Sequence, residues 1–75
     1  MKSWNRTRVR SLASYKAEER PIEFVVNERE VKVRSILESW REPDFIYFKV
    51  EADDRRKYIL RYHEHEDHWE MRELG

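Results

Sequence analysis

Three histidines lie close together near the end of the chain, at His63, His65 and His68. Three imidazoles with a fourth, open position form a common type of catalytic zinc site. His63 and His65 are two residues apart, so on a strand both rings would point to one face. The cluster is therefore a candidate metal site for a metal-dependent enzyme. The acidic residues interspersed through 64–70 instead suggest a solvated hairpin tip, and we favour that interpretation.

Aromatic and basic residues alternate with apolar ones in the centre of the chain. Tyr47 and Lys49 would share one face of a strand, and Arg61 would lie on the outer face of the next. Arg8 and Arg10 could extend this surface. Aromatic and basic side chains on a sheet face are how small β folds stack single-stranded bases. The pattern therefore makes single-stranded nucleic-acid binding an alternative function, although an acidic residue follows on the same face.

The sequence contains no arrangement typical of a catalytic centre. Its only glycine is Gly75, so it has no glycine-rich loop that could cradle a phosphate. The carboxylate pairs at 42–44 and 53–54 fall in polar turns, whereas acid–base pairs need burial to separate their pKa values. We therefore predict a protein that is not an enzyme and holds no cofactor.

The turn between Trp40 and Phe45 carries large aromatic residues on both sides. Aromatic residues are enriched in binding hot spots, so the turn could form the rim of a peptide site. Arg20, Arg41 and Asp44 are the charged residues of a possible recognition loop. We favour the alternative for Trp40 itself, in which it anchors the core at one end of the fold.

Length and charge limit the elements that could position these residues. A chain of 75 residues makes one domain, which we assign to 7–75 after a flexible tail over 1–6. Charged residues make up 43% of the chain, but the net charge is zero. Residues 1–20 carry six basic and two acidic residues, a bias that can attract a polyanion or dock on the acidic remainder. We expect a cytoplasmic protein, because the chain has no cysteine and no apolar run long enough to span a membrane.

Alternating apolar residues predict an all-β fold of about six strands joined by short links. With no helix to cover its apolar face, the antiparallel meander must curl into an SH3-like or partly open barrel, or pair with another copy. Segment 35–40 fits either a short helix or a bent strand with a bulge near Ser35, and we favour the strand. The predicted core is Ile22, Phe24, Val26, Val31, Val33, Ile36, Trp40, Ile46, Phe48, Val50, Leu60, Tyr62, Trp69 and Met71.

Segments 15–21 (YKAEERP), 40–44 (WREPD) and 58–61 (YILR) resemble a family of small bacterial proteins of unknown function. The resemblance covers about residues 9–74 and carries no activity, cofactor or catalytic residue. Arg55 stands where a glycine often follows the paired aspartates of that family, which suggests a longer turn. The histidine pair at 63 and 65 is not a family feature.

These observations together predict a non-catalytic binding module of a bacterial cytoplasm. We expect its partner to be another protein or a second copy of itself, so that a homodimer is one expected form. Single-stranded nucleic-acid binding and a histidine-based metalloenzyme are the alternatives. No membrane association is expected.

Overall fold

Alternating apolar and polar residues produce seven strands in the computed structural model, which describes residues 3–13 and 19–75. The strands are β1 Asn5–Thr7, β2 Val9–Ala13, β3 Glu19–Val26, β4 Arg29–Glu42, β5 Phe45–Ala52, β6 Lys57–His63 and β7 His68–Leu74. No helix occurs in the described ranges. The predicted all-β class is therefore confirmed.

All seven strands belong to one antiparallel sheet in the order β1-β7-β6-β5-β4-β3-β2. The two end strands, β1 and β2, are separated along the chain only by Arg8. The sheet must therefore curl until its ends meet, which makes it a small open barrel. Thr7 fixes this junction, because its hydroxyl donates to the carbonyl oxygen of Val25 at 2.8 Å and accepts the Val25 N–H at 3.0 Å.

The beginning of the chain differs from the predicted flexible tail over 1–6. Residues 5 and 6 were assigned to a flexible tail, but Asn5 pairs with Met71 and Arg6 with Glu70. At Arg8 the chain passes from pairing with β7 to pairing with β3. Tyr15 and most of segment 15–21 lie outside the described residues.

Strand β4 is long and bent, as predicted for segment 35–40. Its register with β5 shifts between Val33 and Ser35 and again between Ile36 and Glu38. Each shift is a bulge, in which one additional residue opposes the partner strand and the strand twists more strongly. The bulge predicted near Ser35 is confirmed, and the second one was not predicted.

The second bulge overturns the prediction that Trp40 anchors the core. Without it, Ile36 and Trp40 would face the same way because side chains alternate. The additional residue reverses the alternation, so Ile36 packs against the core while Trp40 lies on the outer face opposite Tyr47. Trp40 is consequently 38% exposed.

The core otherwise consists largely of the predicted residues on the inner face of the sheet. Its buried members are Phe24, Val26, Val31, Phe48, Val50, Ala52, Tyr58, Leu60, Trp69 and Met71. Val33, Ile36, Ile46 and Tyr62 pack against this cluster and are partly buried. Ala52 and Tyr58 were not predicted. Tyr58 is fully buried, with its ring 5.0 Å from that of Phe24.

Three turns in the described part of the chain use non-glycine residues in the left-handed region, one of them at Asp67 with a φ of 53°. Asn27 and Glu28 have φ angles of 49° and 67°, typical of a two-residue hairpin turn. Arg55 also has a positive φ of 67°, a conformation that glycine adopts without steric cost. The adjacent Asp54 stabilises this turn, because its carboxylate accepts the Arg56 N–H at 2.9 Å and the Tyr58 hydroxyl at 2.7 Å.

Candidate binding surface

The outer side of the sheet carries a continuous group of aromatic side chains around one arginine. We call this surface the aromatic face, and it comprises Trp4, Trp40, Phe45, Tyr47 and Arg61. The pleat places them there, since Tyr47 opposes Trp40 on one side and Arg61 on the other. Trp4 reaches the same surface from the residues just before β1.

Trp40 and Tyr47 form the stacked part of the aromatic face. Their ring centroids are 5.0 Å apart and their planes differ by only 3°. Trp4 meets Tyr47 edge-on at 6.3 Å, and Phe45 meets it at 5.8 Å with tilted planes. Tyr47 is therefore held by three rings, which limits the entropy that a partner would remove by ordering it.

Arg61 lies at the centre of the aromatic face. Its guanidinium carbon is 4.0 Å from the Trp4 ring centroid and 4.2 Å from that of Phe45, within the range of cation–π contacts. Its Nε donates to the Glu70 carboxylate at 2.6 Å. The guanidinium thus links two aromatic rings from distant parts of the chain, and Glu70 neutralises its charge.

Three basic residues in and beside the aromatic face have carboxylate partners. Lys49 lies 3.8 Å from Glu38, and Arg61 is paired with Glu70. At the nearby turn, Arg41 donates to Glu64 at 2.9 Å. These pairs reduce the uncompensated positive charge that polyanion binding requires.

The structure brings together only part of the predicted nucleic-acid site. Tyr47, Lys49 and Arg61 share the outer face of β5 and β6, as predicted. Arg8 and Arg10 lie beside β3 instead, where they line a shallow depression with acidic residues, and Arg10 is 3.8 Å from Glu23. These two arginines are not part of the aromatic face.

The three histidines surround the turn between β6 and β7. His63 and His68 oppose each other in the ladder, with stacked rings 5.3 Å apart. His63 uses Nδ1 to accept the Glu66 N–H at 3.0 Å. His65 lies in the turn rather than on the strand, 3.5 Å from Asp44. Within residues 3–13 and 19–75, no three histidine or carboxylate side chains are placed to hold a metal ion.

The residues of the predicted recognition loop separate into two places. Arg41 and Asp44 both contact the β6–β7 turn, through Glu64 and His65 respectively. The backbone carbonyl of Asp44 also accepts the Glu64 N–H at 3.2 Å. Arg20 lies on β3, where it pairs with Leu12 of β2. The contacts of Arg41 and Asp44 join two neighbouring turns next to the aromatic face.

Trp4 is the member of the aromatic face that the sequence analysis missed. It was assigned to the tail because no apolar run surrounds it. The usable signal was its two-residue spacing from Arg6, which continues the alternation of β1 toward the chain end. Such a short signal is weak until the pairing of β1 with β7 is known.

No protein-family model, curated protein or solved structure matches this chain. The resemblance to small bacterial proteins therefore stays a prediction. The described residues include no helix of the length and hydropathy needed to cross a membrane.

Proposed function

We propose that this protein is a non-catalytic module that binds other polypeptides through the aromatic face. The observation that carries the proposal is the position of Trp40, a large apolar residue held in a fixed stack while 38% exposed. Tryptophan, tyrosine and arginine are the residues most enriched in the hot spots of protein interfaces. The aromatic face presents all three side by side.

The charge of this surface favours a polypeptide over a nucleic acid. Lys49 and Arg61 both have carboxylate partners, at Glu38 and Glu70. A nucleic-acid backbone would have to displace or approach these carboxylates, which weakens the phosphate contacts that supply most of its affinity. A polypeptide with apolar side chains would bury the rings without that repulsion.

Selection from a random peptide library, followed by amide NMR titration of the labelled protein, tests the proposal. Selected peptides should shift the signals of Tyr47 and its neighbours, and Trp40→Ala should weaken binding about tenfold or more. Leu12→Ala is the matched control, because Leu12 is another exposed apolar residue, at 62%, on the distant strand β2. Failure to select any binder, or shifts confined to β2 and β3, would contradict the proposal.

A second titration separates the nucleic-acid alternative. A mixed pool of short single-stranded RNA and DNA, in about 0.15 M salt where surface charges are screened, should leave the spectrum unchanged. Localised shifts at Tyr47, Lys49 and Arg61 would instead favour nucleic-acid binding. The metalloenzyme alternative would be rejected by unchanged histidine signals in the presence of equimolar zinc.

A further inference from the structure

Strand β4 changes partners along its length, which leaves part of one edge open. It pairs with β3 through residues 29–32 and with β5 from Val33 to Glu42. Among the described residues, no strand lies on the side of segment 38–42 that faces away from β5. Every second residue of an antiparallel strand directs its N–H and C=O away from its partner, so this edge offers hydrogen-bonding groups to an added strand.

The two bulges of β4 limit the length of edge that an added strand could follow. The ladder with β5 shifts register twice before Glu38 and is regular from there to Glu42. Over this regular part, Glu38, Trp40 and Glu42 lie on the outer face, while Ser39 and Arg41 oppose inward-facing residues of β5. The outer row of the edge is therefore an aromatic ring between two carboxylates.

This outer row specifies the chemistry of a partner strand. Trp40 is 38% exposed, so an apolar side chain beside it would remove more of its ring from water. Glu42 has no ion-pair partner within the described part of the chain, and Glu38 is 65% exposed at 3.8 Å from Lys49. Side chains directly opposite each other on neighbouring strands lie about 5 Å apart. An added strand would therefore match this row with basic residues on either side of an apolar one.

The same row disfavours a second copy of the chain. Antiparallel pairing of two copies centred on Trp40 would bring Glu38 of each beside Glu42 of the other, and like charges directly opposite each other are destabilising. On the inner row, Arg41 already donates to Glu64, so neutral side chains suit that side of an added strand. The edge thus accepts a basic strand and rejects one like itself.

We infer that this edge binds an extended polypeptide in which two basic residues flank an apolar one at alternate positions. The inference rests on the proposed function and specifies its partner, since Trp40 belongs both to this edge and to the aromatic face. Main-chain hydrogen bonds hold the added strand, and its alternate side chains give specificity. The apolar residue lies beside the Trp40–Tyr47 stack and covers its open side.

Two peptides blocked at both ends test the inference, TKTVTKT and its neutral counterpart TQTVTQT. In amide NMR titrations of the labelled protein, the basic peptide should bind about fivefold more tightly, with the largest shifts over 38–42. The double variant Glu38→Gln, Glu42→Gln should lose this preference. The matched control is Glu28→Gln with Glu30→Gln, two equal changes at exposed positions of the β3–β4 hairpin, which should keep it.

Backbone methylation of the basic peptide separates strand addition from contact with the rings alone. An added strand directs the N–H groups of alternate residues toward β4 and those of the others away from it. N-methylation of one alternate set should therefore abolish binding, while methylation of the other set should change it little. Equal effects of the two sets would overturn strand pairing at this edge.

The inference is also overturned if the two unmethylated peptides bind alike, or if the folded double variant keeps the preference for the basic one. Shifts over 38–42 that depend on protein concentration without peptide would identify a second copy as the occupant and overturn it too. Library peptides that shift Tyr47 and bind the double variant equally well would remove this inference and leave the proposed function standing. A library that yields no binder would contradict the proposed function itself.

Discussion

The two faces of strands β5 and β6 have the same backbone ladder but opposite chemistry. Inward, Phe48 and Leu60 oppose each other and are almost completely excluded from solvent. Outward, Tyr47 and Arg61 form the neighbouring pair of the ladder and remain partly exposed. A difference of one residue thus separates side chains that stabilise the fold from side chains available to a partner.

The comparison shows that aromatic content alone does not identify a core. Trp69 packs inside, 5.9 Å from Phe48 and 5.1 Å from Tyr62. Trp40 packs as closely on Tyr47, yet on the outside. Inner aromatic residues gain free energy by leaving water during folding, whereas the exposed part of an outer ring can gain it only when a partner covers it.

The largest effect is expected on the inner face. Leu60→Ala should lower the free energy of unfolding by about 3 kcal/mol, because Leu60 is completely buried and the barrel cannot collapse into the cavity. Ile59→Ala, at the adjacent outer position, should cost about 1 kcal/mol or less. Urea denaturation of both variants measures the difference. Equal losses would mean that the two faces contribute alike to stability.

Trp40→Ala should have a smaller effect on stability than its size suggests. A buried tryptophan would cost about 3–5 kcal/mol, but the partial exposure of Trp40 lowers the expected loss to about 1–2 kcal/mol. Urea denaturation measures this loss, and peptide affinity is measured separately on the folded variant. A stability loss as large as that of a core residue would show that Trp40 is buried in solution.

Tyr58→Phe should cost about 1 kcal/mol at neutral pH, because it removes the hydrogen bond to Asp54 while keeping the ring. Burial tends to raise the pKa of the Asp54 carboxyl, but hydrogen bonds from Tyr58 and Arg56 and the charges of Arg56 and Arg29 lower it overall. Burial, and then the bond to Asp54, raises the pKa of Tyr58. The measurement is the difference in the free energy of unfolding between the unmodified protein and Tyr58→Phe as a function of pH.

The signs of these shifts predict that this difference is largest in the middle of the pH range. A lowered Asp54 pKa stabilises the fold above the unfolded value of about 3.9, and the contribution disappears as the pH falls through the folded pKa. A raised Tyr58 pKa stabilises it below about 10, and the contribution disappears as the pH rises. A difference that stayed constant from acid to alkaline pH would contradict the role of this bond.

The smallest effect is expected from the ion pair at the centre of the aromatic face. Glu70→Gln should cost about 0.5–1 kcal/mol, since the Arg61–Glu70 pair is close and both side chains are about four-fifths buried. Glu38→Gln should change stability little, because the Lys49–Glu38 pair is long and Glu38 is 65% exposed. Thermal unfolding of both variants at low and high salt measures the difference. A larger loss for Glu38→Gln would reverse the ranking.

The fold could be predicted from the sequence more fully than the binding surface. Alternation over 22–26, 45–52 and 57–62 is long enough to define strands and their faces, so most of the inner face was identified. Tyr47, Lys49 and Arg61 were placed on one face by the same reasoning, which their pairing confirms. Trp4 was missed because β1 has only three residues, too few for a pattern.

What the sequence determined by itself is the all-β class, the bend in β4 and the alternation of its most regular strands. These features depend on the local pattern of the sequence, since the alternation of apolar and polar neighbours indicates which face of the sheet a residue occupies. Only the tertiary structure decided that Trp40 faces outward, that Trp4 lies across Arg61, and that β4 passes from pairing with β3 to pairing with β5 after Lys32. The position of a bulge and the pairing of distant strands depend on contacts between residues far apart in the chain, which spacing along the sequence does not contain.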